Sequence, residues 1–315
     1  MTHAHIITVD WGTSHLRAYL CEVNSNHQLT LVDRLLGKGV TKVREHFEFE
    51  LSQTIAPWTE QYGHLPVLMA GQIGSSIGWK ETTYLPCPIS PQKVASSCLH
   101  FCYQHHQVAI VPGLHCHHDN NSQDVMRSEE VQVLGWLASN PKKQRGKHLI
   151  CLPGTHTKWV LVKNGIIQLF KTAMTGELYD LLSHHSVLIQ SPTVEHNEQA
   201  FILGAKYTLE SALGNFTHGL FSVRSKQLFN ELTPEEAPSY LSGLLIGTDV
   251  RAALNAQEWD ASDLKEIHII GNNKLSTLFA DVIAMQDIAT RLHDVEVLSI
   301  QGFSSVYQEI ANQFN

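Results

Sequence analysis

The sequence predicts an α/β protein made of two related domains, and three observations lead there. Residues 6–20 read as a hairpin: a β-branched run that stops at Asp10, a Gly12-Thr13-Ser14 turn, and a second alternating run. Residues 149–162 repeat that form, with Gly154-Thr155 falling on Gly12-Thr13 at an offset of 142 residues. Solenoid repeats recur every 20–50 residues or so, so this spacing marks duplicated domains instead. The length of 315 residues also fits about two domains of 100–200 residues each.

The elements follow in order. Residues 5–11, 15–23 and 29–36 form a three-strand meander that ends at Gly37-Lys38-Gly39. Phe47, Leu51, Ile55 and Trp58 give residues 47–61 helical spacing. Residues 66–70 are a buried strand, followed at once by the glycine-rich loop 71–79. Glycines at 71, 74 and 78 let a ligand approach the backbone closely. Trp79, at the end of that loop, reads either as a sugar-stacking surface or as a core residue. Residues 108–114 are another strand and turn.

Ser128 reads as the N-cap of a helix, with Glu129 and Glu130 in its first turn and Val131, Leu134 and Ala138 as its buried stripe. The polar, Pro141-containing stretch 139–147 sets the boundary, giving domains 1–142 and 143–315. In the second domain Asn164-Gly165 turns the hairpin into a third strand, 166–171. Thr175 caps the next helix, and 198–211, 220–232 and 238–254 have helical spacing. Residues 265–276 form a strand–turn–helix start whose Gly271 opens space beside a flat ligand. Residues 295–298 read as a last strand, and about 303–314 as a final helix that can pack back on the first domain.

Composition excludes several functions. With 43% hydrophobic residues both cores can be filled, and a net charge of −8 argues against nucleic acid as a partner. No signal peptide or membrane span is apparent, so the expected location is cytoplasmic, with no membrane partner. The six cysteines show no framework spacing and read as reduced, buried thiols; Cys98 and Cys102 should face a core. Histidine-rich stretches at 98–106 and 115–119 lack the paired spacing of a zinc site.

Two Gly-Thr turns on duplicated domains suit a nucleotide, because turn N–H groups and hydroxyls can wrap phosphates without lysine. Asp10, at a strand end, can hold Mg²⁺ through water. Neither a P-loop nor a dinucleotide fingerprint is present.

Several blocks then show a family resemblance. Asp10-Trp11-Gly12-Thr13-Ser14-x-Leu16-Arg17-Ala18, Met69-Ala70-Gly71-Gln72-Ile73-Gly74-Ser75-x-Ile77-Gly78-Trp79, Pro112-Gly113-Leu114, Val125-Met126-Arg127-x-Glu129-Glu130, Pro153-Gly154-Thr155-His156-x-Lys158-Trp159, Met174-Thr175-Gly176-Glu177-Leu178 and Ser242-Gly243-Leu244-Leu245-Ile246-Gly247 run in order through most of the chain. Together they resemble the 2-dehydro-3-deoxygalactonokinase family of the sugar kinase/heat-shock ATPase/actin superfamily. The resemblance implies two ribonuclease H-like domains, an actin-like ATPase or hexokinase-type duplication with a cleft between them. The implied reaction is phosphorylation of the 6-hydroxyl of 2-dehydro-3-deoxy-D-galactonate by ATP with Mg²⁺, in galactonate catabolism. The first domain would hold the sugar acid and the second the nucleotide; a homodimer is compatible.

By position, Asp10 resembles the metal-associated aspartate. Gly12, Thr13 and Ser14 resemble the first phosphate loop, and Gly154, Thr155 and His156 the second. Gly271 lies where the superfamily holds adenosine, although the usual second glycine is Asn272 here. Lys158 and Arg17 are candidates to offset phosphate charge. Arg127, with Gly71, Gln72, Gly74, Ser75 and Trp79, is the candidate site for the sugar acid. Related kinases carry a basic aspartate about seven residues before a helix glycine. Counting back from Gly135 reaches Ser128, so Glu129, Glu130 and Asp124 compete for the base, with Glu129 favoured. The rivals are another sugar or sugar-acid kinase and a non-kinase actin-like ATPase; the latter would need inserted subdomains for which the chain has little room.

Overall fold

Residues 5–38 fold as a meander of β1 (His5–Trp11), β2 (His15–Val23) and β3 (Leu29–Lys38). The computed structural model describes residues 4–119, 121–140, 142, 145–190, 195–211 and 215–314. β1 is buried from Ile6 to Val9, so both of its faces are covered. It pairs antiparallel with β2, setting Asp10 opposite Arg17, and parallel with β4 (Val67–Gly71), setting Trp11 beside Gly71. The sheet continues through β7 (His106–Ile110) to β6 (Leu99–Tyr103), giving the order β3-β2-β1-β4-β7-β6 among the described residues. After the short α1 (Val40–Val43), α2 (Phe47–Tyr62) lays Phe47, Leu51, Ile55 and Trp58 on Ile7, Val9 and Trp11. The smaller β5 (Leu85–Pro86), β8 (Leu114–His117) and β9 (Gln123–Met126) pair as a second sheet. α3 (Pro91–Ala95) and α4 (Glu129–Ser139) complete the run.

The same plan recurs. β10 (Lys147–Leu152), β11 (Thr157–Lys163) and β12 (Ile166–Ala173) form the second meander, and β13 (Glu266–Gly271) pairs parallel with β10. With β14 (Ala289–Asp294) the order is β12-β11-β10-β13-β14. Between β12 and β13 run α5 (Thr175–His184), α6 (Glu198–Glu210), α7 (Phe216–Leu228) and α8 (Ala237–Leu254). Tyr240, Leu241 and Leu244 of α8 centre that helical core. α9 (Asn273–Ala284) follows β13, and α10 (Val295–Ile310) ends the chain's regular structure.

Contacts group the chain into two compact units: Met1–Lys147, Val162–Leu169 and Asp294–Asn315 form the first, His148–Leu161 and Phe170–His293 the second. These differ from a single boundary near residue 142. The helix α10 belongs to the first unit because Gly135 of α4 and Gly302 of α10 let the two helices touch backbone to backbone. A Cβ on Gly135 would stand 1.9 Å from the Leu298 carbonyl oxygen, and one on Gly302 would stand 1.9 Å from that of Val131. The second unit uses the same device, Gly204 of α6 against Tyr240 and Gly243 of α8 against Phe201.

Other expectations are corrected. Residues 295–298 are the first turn of α10, not a strand; Asp294 caps it by accepting from the Val297 N–H (2.9 Å). Ala138 is exposed, because α4 turns Val131, Val133, Leu134, Trp136 and Leu137 inward. Cys98, just before the strand β6, is half-buried, and Cys102 is exposed on that strand rather than facing a core. All six cysteines are free. Among the described residues no three His, Cys, Asp or Glu side chains could hold a metal ion together, and no helix is long and apolar enough to cross a membrane.

The α4–α10 contact leaves no room for a methyl group. Gly135→Ala should therefore cost about 1–3 kcal/mol of stability, read as a lower urea midpoint. An unchanged midpoint would show that the helices separate freely.

Candidate active site

Each Gly-Thr turn sits where a central strand leaves its sheet. In the first unit the Gly12 N–H donates to His15 O (2.9 Å) and closes the turn. The Val40 and Thr41 N–H groups donate to Gly12 O (3.1 Å) and Thr13 O (3.2 Å), so a helix start braces the turn from one side. In the second unit the Glu177 N–H of α5 donates to Thr155 O (3.0 Å), and Gly176 lies so close that a Cβ there would be 2.4 Å from Gly154 O. Thr13, Ser14, Thr155 and His156 are exposed at the tips.

The two turn glycines are not required by their own folds. A Cβ on Gly12 would meet nothing nearer than 3.7 Å, and one on Gly154 nothing nearer than 3.9 Å; neither has positive φ. Gly39 is the contrast, since its Cβ would fall 2.2 Å from Ser14 backbone. The missing side chains at 12 and 154 therefore leave bare backbone for something to approach.

Beside the second turn lies a cavity of about 550 Å³. Its polar end is Gly154, Thr155, Thr175 and Gly176; Leu245, Ile246 and Phe279 supply apolar wall. The N-terminus of α5, the positive end of its helix dipole, opens at the polar end and favours an anion. Asn272 lines the cavity and also caps α9, accepting from the Leu275 N–H (3.0 Å). Gly271 sits beside Pro153, 3.5 Å from its Cδ to a Cβ built there. His156 Nε2 makes a close contact with a Glu177 carboxylate oxygen. Lys158 is buried, with Nζ donating to Thr172 Oγ1 (2.8 Å).

Sequence reasoning missed Asp249. This carboxylate, on α8, is buried against the strand and helix that flank the second turn. It accepts from the Trp159 Nε1–H (2.9 Å) and the Thr175 hydroxyl (2.5 Å). Burial pushes its pKa up to about 6, and those donors hold it from rising further. Thr175 is thus not a cap; Met174 stands at that position and the hydroxyl points inward. The available signal was that Asp249 is the one acidic residue within α8.

In the first unit the candidate carboxylates and the glycine loop meet at the carboxyl ends of β1 and β4. Asp10 Oδ2 pairs with Arg17 Nη1 (3.3 Å), and its Oδ1 accepts from the Ser128 hydroxyl (2.5 Å). Ser128 therefore stands at the N-cap position without capping, at φ 99°, a backbone region costly for a residue with a side chain. The glutamates do the capping: Glu129 accepts from the Arg127 N–H (3.1 Å) and Glu130 from the Ser128 N–H (2.8 Å). Glu129 is half-buried. Glu130 is fully buried, its Oε1 has no partner, and burial followed by the charge of Glu129 raises its pKa well above the usual range. A sealed side chain cannot reach a substrate hydroxyl, which separates Glu130 from Glu129. Asp124, on β9, accepts from the Val125 N–H (2.8 Å).

Arg127 is buried against Tyr84, with its guanidinium carbon 4.3 Å from the ring centre. It donates to Thr82 Oγ1 (2.5 Å) and Thr82 O (3.0 Å), while Nε is without a partner. Gly74 makes room for it, since a Cβ there would be 2.8 Å from Nη1. Gly71, at φ 99°, turns the chain out of β4 beside Trp11, and Ser75 closes the next turn by donating to Gln72 O (2.7 Å). Trp79 packs edge-on to Phe101 and Tyr103 and donates to Glu48 (3.2 Å), bracing the loop from behind.

A family model described as 2-keto-3-deoxy-galactonokinase matches residues 10–306. The chain belongs to this family. It is 31% identical over 319 residues, 98% of each chain, to a Rhizobium meliloti (strain 1021) protein assigned as a 2-dehydro-3-deoxygalactonokinase. It is 35% identical over 252 residues, 78% of this chain and 80% of the relative, to the 2-dehydro-3-deoxygalactonokinase of Escherichia coli (strain K12). A crystal structure of a Sinorhizobium meliloti protein assigned to the same activity superposes with a TM-score of 0.84 at 30% identity, over 97% of this chain and 96% of that one. The mixed α/β fold is thus that of a solved member of the kinase family.

Two outcomes follow for the kinase. Gly154→Ala should fold as stably as the parent, with a melting temperature unchanged or raised; a raised ATP KM in that protein would mark the bare backbone as a nucleotide surface. A Gly154→Ala protein that melts early would mean that the glycine serves the turn itself. Glu130 has a folded pKa above its unfolded value of about 4.3, so its contribution to stability is lost as pH rises from there. Glu130→Gln keeps an acceptor for the Ser128 N–H without that loss. Its stability relative to the parent should rise between about pH 5 and 8; a constant difference across that range would contradict the assignment.

Proposed function

We propose that this protein transfers the γ-phosphoryl group of ATP to the 6-hydroxyl of 2-dehydro-3-deoxy-D-galactonate, a step of galactonate catabolism. The observation that carries the reading is the pair of Gly-Thr turns with bare glycine backbone, one beside a cavity of nucleotide size; family membership supplies the substrate class. The sheet orders support ribonuclease H-like halves of the actin and hexokinase type, since each unit extends a three-strand meander by a parallel strand.

Gly154, Thr155 and His156 bind the phosphates, helped by the start of α5, while the apolar wall takes the base near Gly271 and Asn272. Gly12, Thr13 and Ser14 form the matching turn of the first unit. Gly71, Gln72, Gly74 and Ser75 hold the sugar acid by backbone and hydroxyl groups, with Trp79 supporting the loop. Arg127 offers positive charge to the substrate carboxylate. Asp10 fits a Mg²⁺ role, being a hard oxygen donor at a strand end with both oxygens oriented by Ser128 and Arg17; the ion would neutralise phosphate charge when bound. Lys158 is held in the strand by Thr172 and acts on the phosphates through its field.

Glu129 removes the proton from the attacking hydroxyl. The oxygen then bonds to the γ-phosphorus as the bond to ADP breaks, so transfer depends chiefly on positioning and charge neutralisation. Glu129 is the accessible carboxylate at the start of α4, where its side chain is oriented by the Arg127 N–H.

A panel of sugar acids assayed for ATP-dependent ADP release tests the function; release that ignores the sugar acid would reject a kinase. Within the kinase, Glu129→Gln should lower kcat by about 10²–10⁴-fold while ATP KM stays constant. Near-normal kcat would move the base elsewhere.

A further inference from the structure

The cavity is not the whole of the second half-site, because what holds its polar end in place lies beneath it. Three elements meet at Asp249. The residue comes from α8, Trp159 from β11 and Thr175 from the first turn of α5. Both oxygens are engaged, Oδ1 by the Trp159 indole N–H and Oδ2 by the Thr175 hydroxyl. Among the described residues no lysine or arginine forms an ion pair with it. A purely structural core would be served as well by an apolar side chain, since burying a charge without a cation is costly. What a carboxylate adds is two acceptors at fixed separation for two fixed donors.

Those donors lead directly to the turn. Thr175 and Gly176 line the cavity with Gly154 and Thr155. Gly176 rests on Gly154 O, and the Glu177 N–H bonds Thr155 O. Shifting Thr175 therefore shifts the N–H groups of α5 and the turn as one body.

We propose that Asp249 is a positioning residue for the nucleotide phosphates, fixing through Thr175 the joint between the start of α5 and the Gly154-Thr155 turn. This rests on the reading of that turn as the phosphate site. The carboxylate has the wrong sign to attract a phosphate, so its effect is geometric. It touches no reacting atom.

The test compares Asp249→Asn, Thr175→Val and Thr175→Ser in the full chain, with KM for ATP and for the sugar acid measured separately. Asn keeps the size but removes the charge; with its carbonyl on the Trp159 N–H, it offers Thr175 an N–H₂, which reverses that hydrogen bond and swings the hydroxyl away from its present direction. Losing the charge-assisted bond should raise ATP KM about tenfold or more, with sugar-acid KM staying within about twofold. Thr175→Val should do the same, and Thr175→Ser, which keeps the hydroxyl, should restore the parental value. The Asp249→Asn/Thr175→Val double variant should be no worse than Thr175→Val alone, because both remove one interaction. The proposal is overturned if ATP KM is parental in a folded Asp249→Asn protein, if both KM values rise together, or if the two effects add. Should Asp249→Asn fail to fold, a parental ATP KM in Thr175→Val overturns it. Gly154→Ala separates the premise: if it leaves ATP KM unchanged, the phosphate-turn reading fails. If it raises ATP KM while Asp249→Asn does not, only the positioning role fails.

Discussion

The parallel pairing of each meander's first strand with the next strand along the chain is the constraint on which the rest depends. β1 beside β4, and β10 beside β13, are covered on both faces or nearly so, and their carboxyl ends cannot move without disturbing a core. Loops that leave such ends are held at a known height and spacing, and ligands of open α/β sheets bind there. Asp10, the first Gly-Thr turn and Gly71 emerge together for this reason, as do Gly154 and Gly271 in the second unit. The turns themselves hold no side chain at the glycine, so each leaves bare backbone exposed on a sheet that supports it.

Below those ends each unit buries a carboxylate. Glu130 caps α4 from inside, and Asp249 ties α8 to β11 and α5. Burial raises the pKa of both. The two differ in satisfaction: both Asp249 oxygens have donors, whereas Glu130 leaves one oxygen without a partner. Well-satisfied buried polar groups rigidify the elements they join, and partly satisfied ones store cost. In the first unit that cost stands next to the strained Ser128 backbone, where Asp10 and Glu129 are oriented.

Helix contacts between glycines hold the supporting layers. Gly135 and Gly302 in one unit, Gly204 and Gly243 in the other, bring helix backbones close enough that side chains beside them interlock. The Ser242-to-Gly247 block, part of the family resemblance, therefore includes a packing device for α6 and α8, with Asp249 placed two residues beyond it.

Local sequence determined the pieces. Strand alternation, the two Gly-Thr turns and the helical spacing of Phe47, Leu51, Ile55 and Trp58 depend on neighbours a few residues away, and those elements stand where the pattern put them. The duplication was legible because both turns kept their form. Tertiary structure alone decided which polar groups pair across long separations. Ser128 gave up capping because Asp10, 118 residues earlier, accepts its hydroxyl, and Thr175 did so for Asp249, 74 residues later. Residues 295–298 have a strand's composition, yet they open α10, since the Asp294 cap and the glycine contact with α4 outweigh a local preference for β structure. Glu129 and Glu130 are adjacent in sequence and equivalent in charge. Their fates diverge because a helix turns successive side chains about 100° apart, which leaves one half-buried and sends the other into the core.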